Sequence, residues 1–233
     1  MTDDGWQAVS LANGIEPGYS AGTRLFDKEI VLWRDTDGVA HVWEDRCPHR
    51  GMRLSFGFVR GSRIACLYHG WQYDGEGRCR FIPAHPDLKV PGTIRVTTYL
   101  CRERLGMVWM CNSPATTASA GPAIAERVVT PVRSIYADCP FNAVVDALAS
   151  RGKVLDAGVG LLSIRLGELP LLIAAQHYHD ARTALHIVIE GAHDRYGGAA
   201  QIAAATWAEQ IRLELESEAG SSAEPIAHRR ALP

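Results

Sequence analysis

The chain has 233 residues, 47% of them hydrophobic, and a formal net charge of −2 at pH 7. This length suits one large domain or two modest ones, and the composition supports a buried core. The charge provides no basic surface for nucleic acid, no apolar run is long enough to span a membrane, and the acidic segment 1–5 lacks the apolar part of a signal peptide. We therefore expect a cytoplasmic protein with neither a nucleic-acid nor a membrane partner.

Short strands separated by turns are predicted throughout the first half of the chain. Residues 23–34 are rich in strand formers, and the Asp37-Gly38 pair that follows is a hairpin turn signal. A second turn is predicted at 74–77, where two glycines alternate with acidic residues. Closely spaced short strands favour a small antiparallel β domain, which we assign to residues 1–112.

Two short segments within this region carry metal-binding side chains. Cys47-Pro48-His49 supplies a thiolate and an imidazole, and Cys66-Leu67-Tyr68-His69 supplies the same pair, with sixteen residues between His49 and Cys66. We predict that the two segments lie at hairpin tips and together hold a Rieske 2Fe-2S cluster, with the cysteines on one iron and the histidines on the other. Two neutral imidazoles in place of two thiolates make the cluster easier to bury and easier to reduce. A zinc site is the main alternative, although zinc sites usually pair cysteine with cysteine and histidine with histidine at short spacing.

The sequence around these segments resembles a known family. The runs 31–35, 42–51 and 66–73 (VLWRD, VWEDRCPHRG and CLYHGWQY) are similar to the N-terminal half of the ring-hydroxylating and demethylating Rieske oxygenases. The resemblance extends from about Trp6 to Asn112. A respiratory-chain Rieske protein would carry an additional cysteine in each cluster loop, and this chain has none there. The resemblance thus implies a 2Fe-2S cofactor bound by Cys47, His49, Cys66 and His69.

The remainder of the chain differs in character. Residues 113–126 are small, polar and proline-bearing, which predicts a linker. The segment that follows, 127–219, is predicted to be a shortened α+β domain of the helix-grip type, and 220–233 a disordered tail. The fold class is therefore α+β, with an antiparallel β Rieske domain first. Within the second domain we predict helices over 141–155 and 199–218 and strands at 161–166, 171–175 and 185–189.

The resemblance also implies a mononuclear iron in the second domain, held by an Asn-x2-Asp-x2-His-x4/5-His motif on a helix. Residues 141–148 resemble the start of that helix, but no histidine occurs from Asn142 to Leu172. Lys153 and Gly158 stand where the motif has ligands, and a lysine places a cation where the metal would bind. Ser150 replaces the carboxylate that links the two metal centres of neighbouring subunits. We therefore do not expect a mononuclear Fe(II).

One other group of residues is a candidate for a second metal site. His177 and His179 would share a face of a strand, since side chains alternate along a strand, and Asp180 follows them. Neither their order nor their spacing matches the family motif. The alternative interpretation is a histidine-bearing strand end next to a solvated loop.

Two functions are compatible with these observations. The first is an electron-transfer component that receives electrons from a flavin reductase or a ferredoxin and passes them to a full-length oxygenase subunit, within a trimer or a hetero-oligomer. The second is a terminal oxygenase, a monooxygenase, dioxygenase or demethylase with an atypical catalytic iron. The missing iron motif favours the first hypothesis.

Overall fold

The computed structural model describes residues 5–111, 121–156, 158 and 160–222. Ten of the described strands belong to the first half of the chain, and their turns lie close to the predicted positions. They are β1 Trp6–Leu11, β2 Ser20–Leu25, β3 Lys28–Arg34, β4 Ala40–Glu44, β5 Phe58–Arg60, β6 Arg63–Ala65, β7 Gln72–Asp74, β8 Cys79–Phe81, β9 Thr98–Arg104 and β10 Met107–Cys111.

These ten strands form two antiparallel sheets. The larger sheet has the order β1-β10-β9-β4-β3-β2, and the smaller has the order β5-β6-β7-β8. A hydrophobic core that includes Trp33, Trp43 and Tyr73 fills the space between the two sheets. The two segments that carry the predicted ligands lie at the edge of this core, since both cysteines belong to it.

The segment 23–34, predicted as one strand-rich run, is a hairpin with its turn at Phe26-Asp27. Both residues have positive φ angles, 49° and 63°, a conformation that favours glycine, asparagine or aspartate. The turn is held from outside, because Phe26 N–H donates to the His177 carbonyl at 2.8 Å and Asp27 N–H donates to the Tyr178 carbonyl at 3.2 Å. Contacts with the second half therefore stabilise a turn in which Phe26 adopts a conformation that its side chain does not favour.

The second half is an antiparallel sheet with helices on one face. Its strand order is β11-β15-β14-β13-β12, and its elements are β11 Val129–Ala137, α1 Phe141–Ala149, β12 Gly152–Asp156, β13 Leu161–Leu166, β14 Leu169–His179, β15 Arg182–Glu190, α2 His193–Tyr196 and α3 Ala199–Ser222. The predicted helix over 141–155 was too long, because residues 152–155 belong to strand β12. The other predicted helix and the three predicted strands are confirmed, and with them the α+β fold class.

The helices α1 and α3 cover the sheet through a large apolar core. Phe141, Val144 and Leu148 face inward from α1 and meet Ile211 and Leu215 from α3. Helix α3 continues to Ser222, into the segment that was predicted to be disordered. The rest of that segment, 223–233, and residues 113–120 of the predicted linker lie outside the described part of the chain. Of the helices described, none combines the length and the apolar character needed to cross a membrane.

The two halves share a further hydrophobic core on the opposite face of the second sheet. Trp6, Met107 and Trp109 from the first half pack there with Leu172 and Val188 from the second. All five side chains are at most 9% exposed. The halves are therefore joined by continuous apolar packing.

Candidate metal centre

Two loops that close in the same way carry the predicted cluster ligands. In each, the cysteine N–H donates to the carbonyl five residues later, and the N–H of the glycine four residues later donates back to the cysteine carbonyl. The distances are 2.8 and 2.9 Å in the loop 47–52 and 2.9 Å for both bonds in the loop 66–71. Gly51 and Gly70 have φ angles of 74° and 70°, which only glycine adopts readily. The two loops are thus built on one backbone pattern.

The loops differ in how they are attached to the sheets. Loop 66–71 joins the paired strands β6 and β7 and is a hairpin tip, as predicted. Loop 47–52 instead leaves β4 in the larger sheet and leads through the short 3-10 helix Leu54–Phe56 to β5 in the smaller one. The prediction of two hairpin tips was therefore right for the second loop and wrong for the first. The first loop is fixed by Asp45, whose carboxylate accepts the N–H and the hydroxyl of Ser55 at 2.7 and 2.5 Å.

The cysteines form the buried side of the centre. Cys47 and Cys66 are 2% and 1% exposed, and neither is in a disulfide. Burial raises the pKa of the Cys66 thiol and the neighbouring Cys47 raises it further, whereas hydrogen bonds from the Tyr68 and His69 N–H groups lower it. A buried thiolate pair of this kind requires a compensating positive charge. The pair can therefore hold a metal ion by its two sulfurs.

The histidines form the open side of the centre. The His49 ring is half-buried and the His69 ring is exposed, and their centroids are 4.5 Å apart. His49 also stacks on Trp71, with the centroids 4.2 Å apart and the planes at 5°. The buried Nδ1 atom of His49 has no hydrogen-bond partner. Burial, followed by the charges of His69 and Arg50, lowers the pKa of His49, which favours the neutral imidazole that binds a metal.

The donor set fits a 2Fe-2S centre and not a mononuclear one. Within the described residues, no three His, Cys, Asp or Glu side chains come together around a single ion position. A Rieske cluster requires only two protein side chains as ligands on each iron. Two buried sulfurs, two imidazoles on the solvent side and an unpartnered ring nitrogen meet that requirement.

The sequence analysis missed Tyr73, whose hydroxyl lies 3.0 Å from Cys47 Sγ. Burial and the neighbouring cysteines raise the pKa of Tyr73, which favours a protonated phenol that can donate to the Cys47 sulfur when that sulfur is deprotonated. Hydrogen bonds to ligand sulfurs tune the reduction potential of such clusters. The available signal was the position of Tyr73 on the strand that leaves the second loop, where alternation directs it toward the core.

The residues of the predicted second site are not brought together as a metal site. A β-bulge interrupts the pairing of β14 with β15 between His177 and His179, so the predicted alternation is broken there. The His177 ring packs between Phe26 and Phe141, with centroids 4.9 and 5.7 Å away. His179 Nδ1 instead accepts a hydrogen bond from a backbone N–H within the turn after β14, at 3.2 Å, and Asp180 is exposed in that turn.

Comparison with known proteins agrees with this geometry. The Rieske [2Fe-2S] domain matches residues 5–99. The oxidoreductase NdmD of Pseudomonas putida is 34% identical over 148 residues, which cover 61% of this chain and 25% of NdmD. The chloroplastic protein TIC 55 of Arabidopsis thaliana is 39% identical over 112 residues, which cover 48% of this chain and 21% of TIC 55. The chain thus spans a quarter or less of the length of these two relatives.

Solved structures extend the likeness to the second half of the chain. Dicamba monooxygenase bound to dicamba superposes with a TM-score of 0.75, covering 97% of this chain and 92% of the other, at 16% identity. The demethylase NdmA of Pseudomonas putida with caffeine superposes with a TM-score of 0.68, covering 99% and 86%, also at 16% identity. At this identity the likeness concerns the fold alone. Residues 5–99 therefore form a Rieske domain, whose cofactor is a 2Fe-2S cluster, within a chain that has the fold of the Rieske oxygenases.

Proposed function

We propose that this protein is an electron-transfer component of an oxygenase system, with its cluster held by Cys47 and Cys66 on one iron and by His49 and His69 on the other. The observation that carries the proposal is the pair of matching loops, which bury two sulfurs and expose two imidazoles. When bound, the cluster takes up and releases single electrons at a moderate potential.

The burial of the four ligands gives the electron transfer a direction. Both cysteines lie inside the core, so the protein insulates that side of the centre. His69 is exposed, and next to it Leu67 and Tyr68 are 57% and 60% exposed. A redox partner can therefore approach the histidine side over an apolar and aromatic surface.

The packing of the second half supports a carrier in preference to a catalytic subunit. In α1 the apolar residues fill the core, whereas Asn142 and Asp146, two polar residues of the segment that resembles the start of the motif helix, are exposed. Lys153, which stands at a ligand position of the motif, is exposed on the edge strand β12. The second half then serves as a docking module, with a flavin reductase or a ferredoxin as electron donor and a full-length oxygenase subunit as acceptor. A trimer or a hetero-oligomer stays a prediction, as does the cytoplasmic location.

Metal content tests this proposal. We expect two irons and two acid-labile sulfides for each purified chain, and an electron paramagnetic resonance signal of a Rieske cluster after reduction with dithionite. A Cys66→Ser variant should lose both, and Cys139→Ser, which changes a buried thiol in the second half, should keep both. Iron bound without labile sulfide would refute the proposal.

The same measurement separates the proposal from a terminal oxygenase. The superposition with dicamba monooxygenase over 97% of the chain is the observation in favour of that alternative. A terminal oxygenase would contain three irons for each chain, the third as a ferrous ion outside the cluster. A count of two irons together with electron delivery to a separate oxygenase would favour the carrier.

A further inference from the structure

A cleft of about 370 Å³ lies between the two halves of the molecule, away from the cluster loops. One wall is β11, the edge strand of the second sheet, and the other is formed by β1, β2 and the turn between them. The lining is mixed, with apolar side chains such as Val9, Leu11 and Ile15 beside a larger polar surface that includes Asn13, Ser134 and Tyr136. A volume of this size at the junction of two domains is typical of small-molecule sites.

A buried hydrogen-bond chain begins at this cleft. Ser134 lines the cleft, and its hydroxyl lies 2.8 Å from Nδ1 of His186 on the paired strand β15. The other ring nitrogen, Nε2, lies 2.8 Å from Oε1 of Gln176. His186 and Gln176 are both 0% exposed. Neither side chain is needed for the cluster, and both are fully hydrogen-bonded.

One backbone carbonyl and the neutral ring of His186 fix the directions of the hydrogen bonds in this network. The Arg24 carbonyl can only accept, so the Gln176 side-chain atom 2.5 Å from it is the amide nitrogen. Gln176 Oε1 therefore accepts from His186 Nε2–H. Burial lowers the pKa of His186 to about 4 and keeps the ring neutral, so its Nδ1 accepts in turn from the Ser134 hydroxyl. The Ser134 proton points inward, and the oxygen presents only lone pairs to the cleft.

The other end of the chain returns to the same cleft. Gln176 Nε2 also donates to Thr23 Oγ1 at 3.2 Å. Thr23 lines the cleft, and so does Tyr136 on β11, which is 43% exposed. A tyrosine hydroxyl can donate a hydrogen bond to a ligand. The cleft thus offers a fixed acceptor at Ser134 and a hydroxyl donor at Tyr136.

The charge of the cleft limits what can bind. Among the described residues that line it, Arg133 is the one charged side chain. Its guanidinium is already paired with Glu209 at 2.9 Å. An anion would therefore find no unpaired cation, and a cation no carboxylate, among these lining residues.

We propose that this cleft is a binding site for a small, neutral molecule with a hydrogen-bond donor that meets Ser134 and an acceptor that meets Tyr136. The site is separate from the cluster and does not depend on the proposed electron transfer. Hydroxylated aromatic carbonyl compounds are one class with these properties.

Four related probes test the proposal on the full chain by ligand-observed NMR titration at pH 6.5. 4-Hydroxyacetophenone carries both groups, 4-methoxyacetophenone lacks the donor, 4-ethylphenol lacks the acceptor, and 4-hydroxybenzoate is an anion. We expect saturable binding of the first and about tenfold weaker binding of the two probes that lack one group, since one hydrogen bond accounts for about that factor. The anion should also bind more weakly, because the one cation among the lining residues is already paired. Absence of saturable binding, or equal binding of all four, would overturn the proposal.

Two variants locate the site, and a third is the control. Tyr136→Phe keeps the ring, removes the donor and should weaken 4-hydroxyacetophenone about tenfold, without a further loss for 4-ethylphenol. Ser134→Ala removes the acceptor and should weaken 4-hydroxyacetophenone similarly without affecting 4-methoxyacetophenone. Tyr19→Phe changes an exposed tyrosine outside the cleft and should have no effect. If Ser134→Ala unfolds at a lower temperature than the wild type, the test rests on Tyr136→Phe. Unchanged affinity of that variant for 4-hydroxyacetophenone refutes the site.

Discussion

Replacing Tyr73 by phenylalanine should lower the reduction potential of the cluster. The Tyr73 hydroxyl lies 3.0 Å from Cys47 Sγ inside the core. When this sulfur binds iron it has no proton, so the phenol is the donor. The sulfur carries more negative charge when the cluster is reduced, so this bond stabilises the reduced form more than the oxidised form. Removing it therefore makes the cluster harder to reduce.

The size of the effect follows from the strength of such bonds. A hydrogen bond between neutral groups contributes about 1 kcal/mol and one to a charged group about 2 kcal/mol, so the two redox states should differ by about 1 kcal/mol. For one electron, about 59 mV corresponds to a factor of ten, or roughly 1.4 kcal/mol. We therefore expect Tyr73→Phe to lower the potential by about 40 mV.

Redox titration followed by electron paramagnetic resonance measures this shift directly. Tyr99→Phe is the matched control, because Tyr99 is half-buried in the same domain, lies on β9 and is not a member of the core around the cluster. Iron content should equal that of the wild type in both variants. A potential that stays constant or rises in Tyr73→Phe would show that the phenol does not donate to the ligand sulfur.

Three further outcomes follow from packing and burial. Gly57→Ala should lower the melting temperature by roughly 5 °C in thermal unfolding, since its Cβ would lie 2.3 Å from a backbone oxygen. Gly92→Ala, with open space around it, is the control. Equal melting temperatures of the two variants would contradict the packing around Gly57. Cys66→Ser should abolish the visible absorption and Cys139→Ser should keep it; a coloured Cys66→Ser protein would exclude that ligand. For His186, burial lowers the pKa from 6.5 to about 4 in the folded state, so its contribution to stability is complete above pH 6.5 and is lost as the pH falls toward 4. Between pH 7 and pH 5 the loss is about 2 kcal/mol. Urea unfolding at both pH values should therefore show that the free energy of unfolding falls by about this amount more in the wild type than in His186→Gln.

The cluster loops were predictable because their chemistry is local. Each cysteine lies within three residues of its histidine, and a glycine follows each histidine within two residues, so the pattern is visible without knowledge of the fold. Tyr73 was not recognised because its role depends on a contact with Cys47, 26 residues away. A tyrosine on a strand is usually a core residue, and the sequence does not indicate which core atom it meets.

The turn at Phe26-Asp27 and the end of α1 show where local patterns fail. The turn lacks glycine and asparagine. Two carbonyls of β14 stabilise it, and no residue near the turn in sequence indicates these contacts. Helix α1 was predicted to reach residue 155 because Leu155 continues an apolar pattern, but residues 152–156 form β12, in which Val154 pairs with Leu162 of β13. In both places contacts distant in sequence outweigh the local preference.

The apolar contact between the two halves has a consequence for the history of such chains. A version that ended after β10 would expose the indole rings of Trp6 and Trp109 to water, because the residues that cover them come from β14 and β15. A chain of this fold that lost a catalytic function in its second half would still use that half to bury the apolar surface of the first.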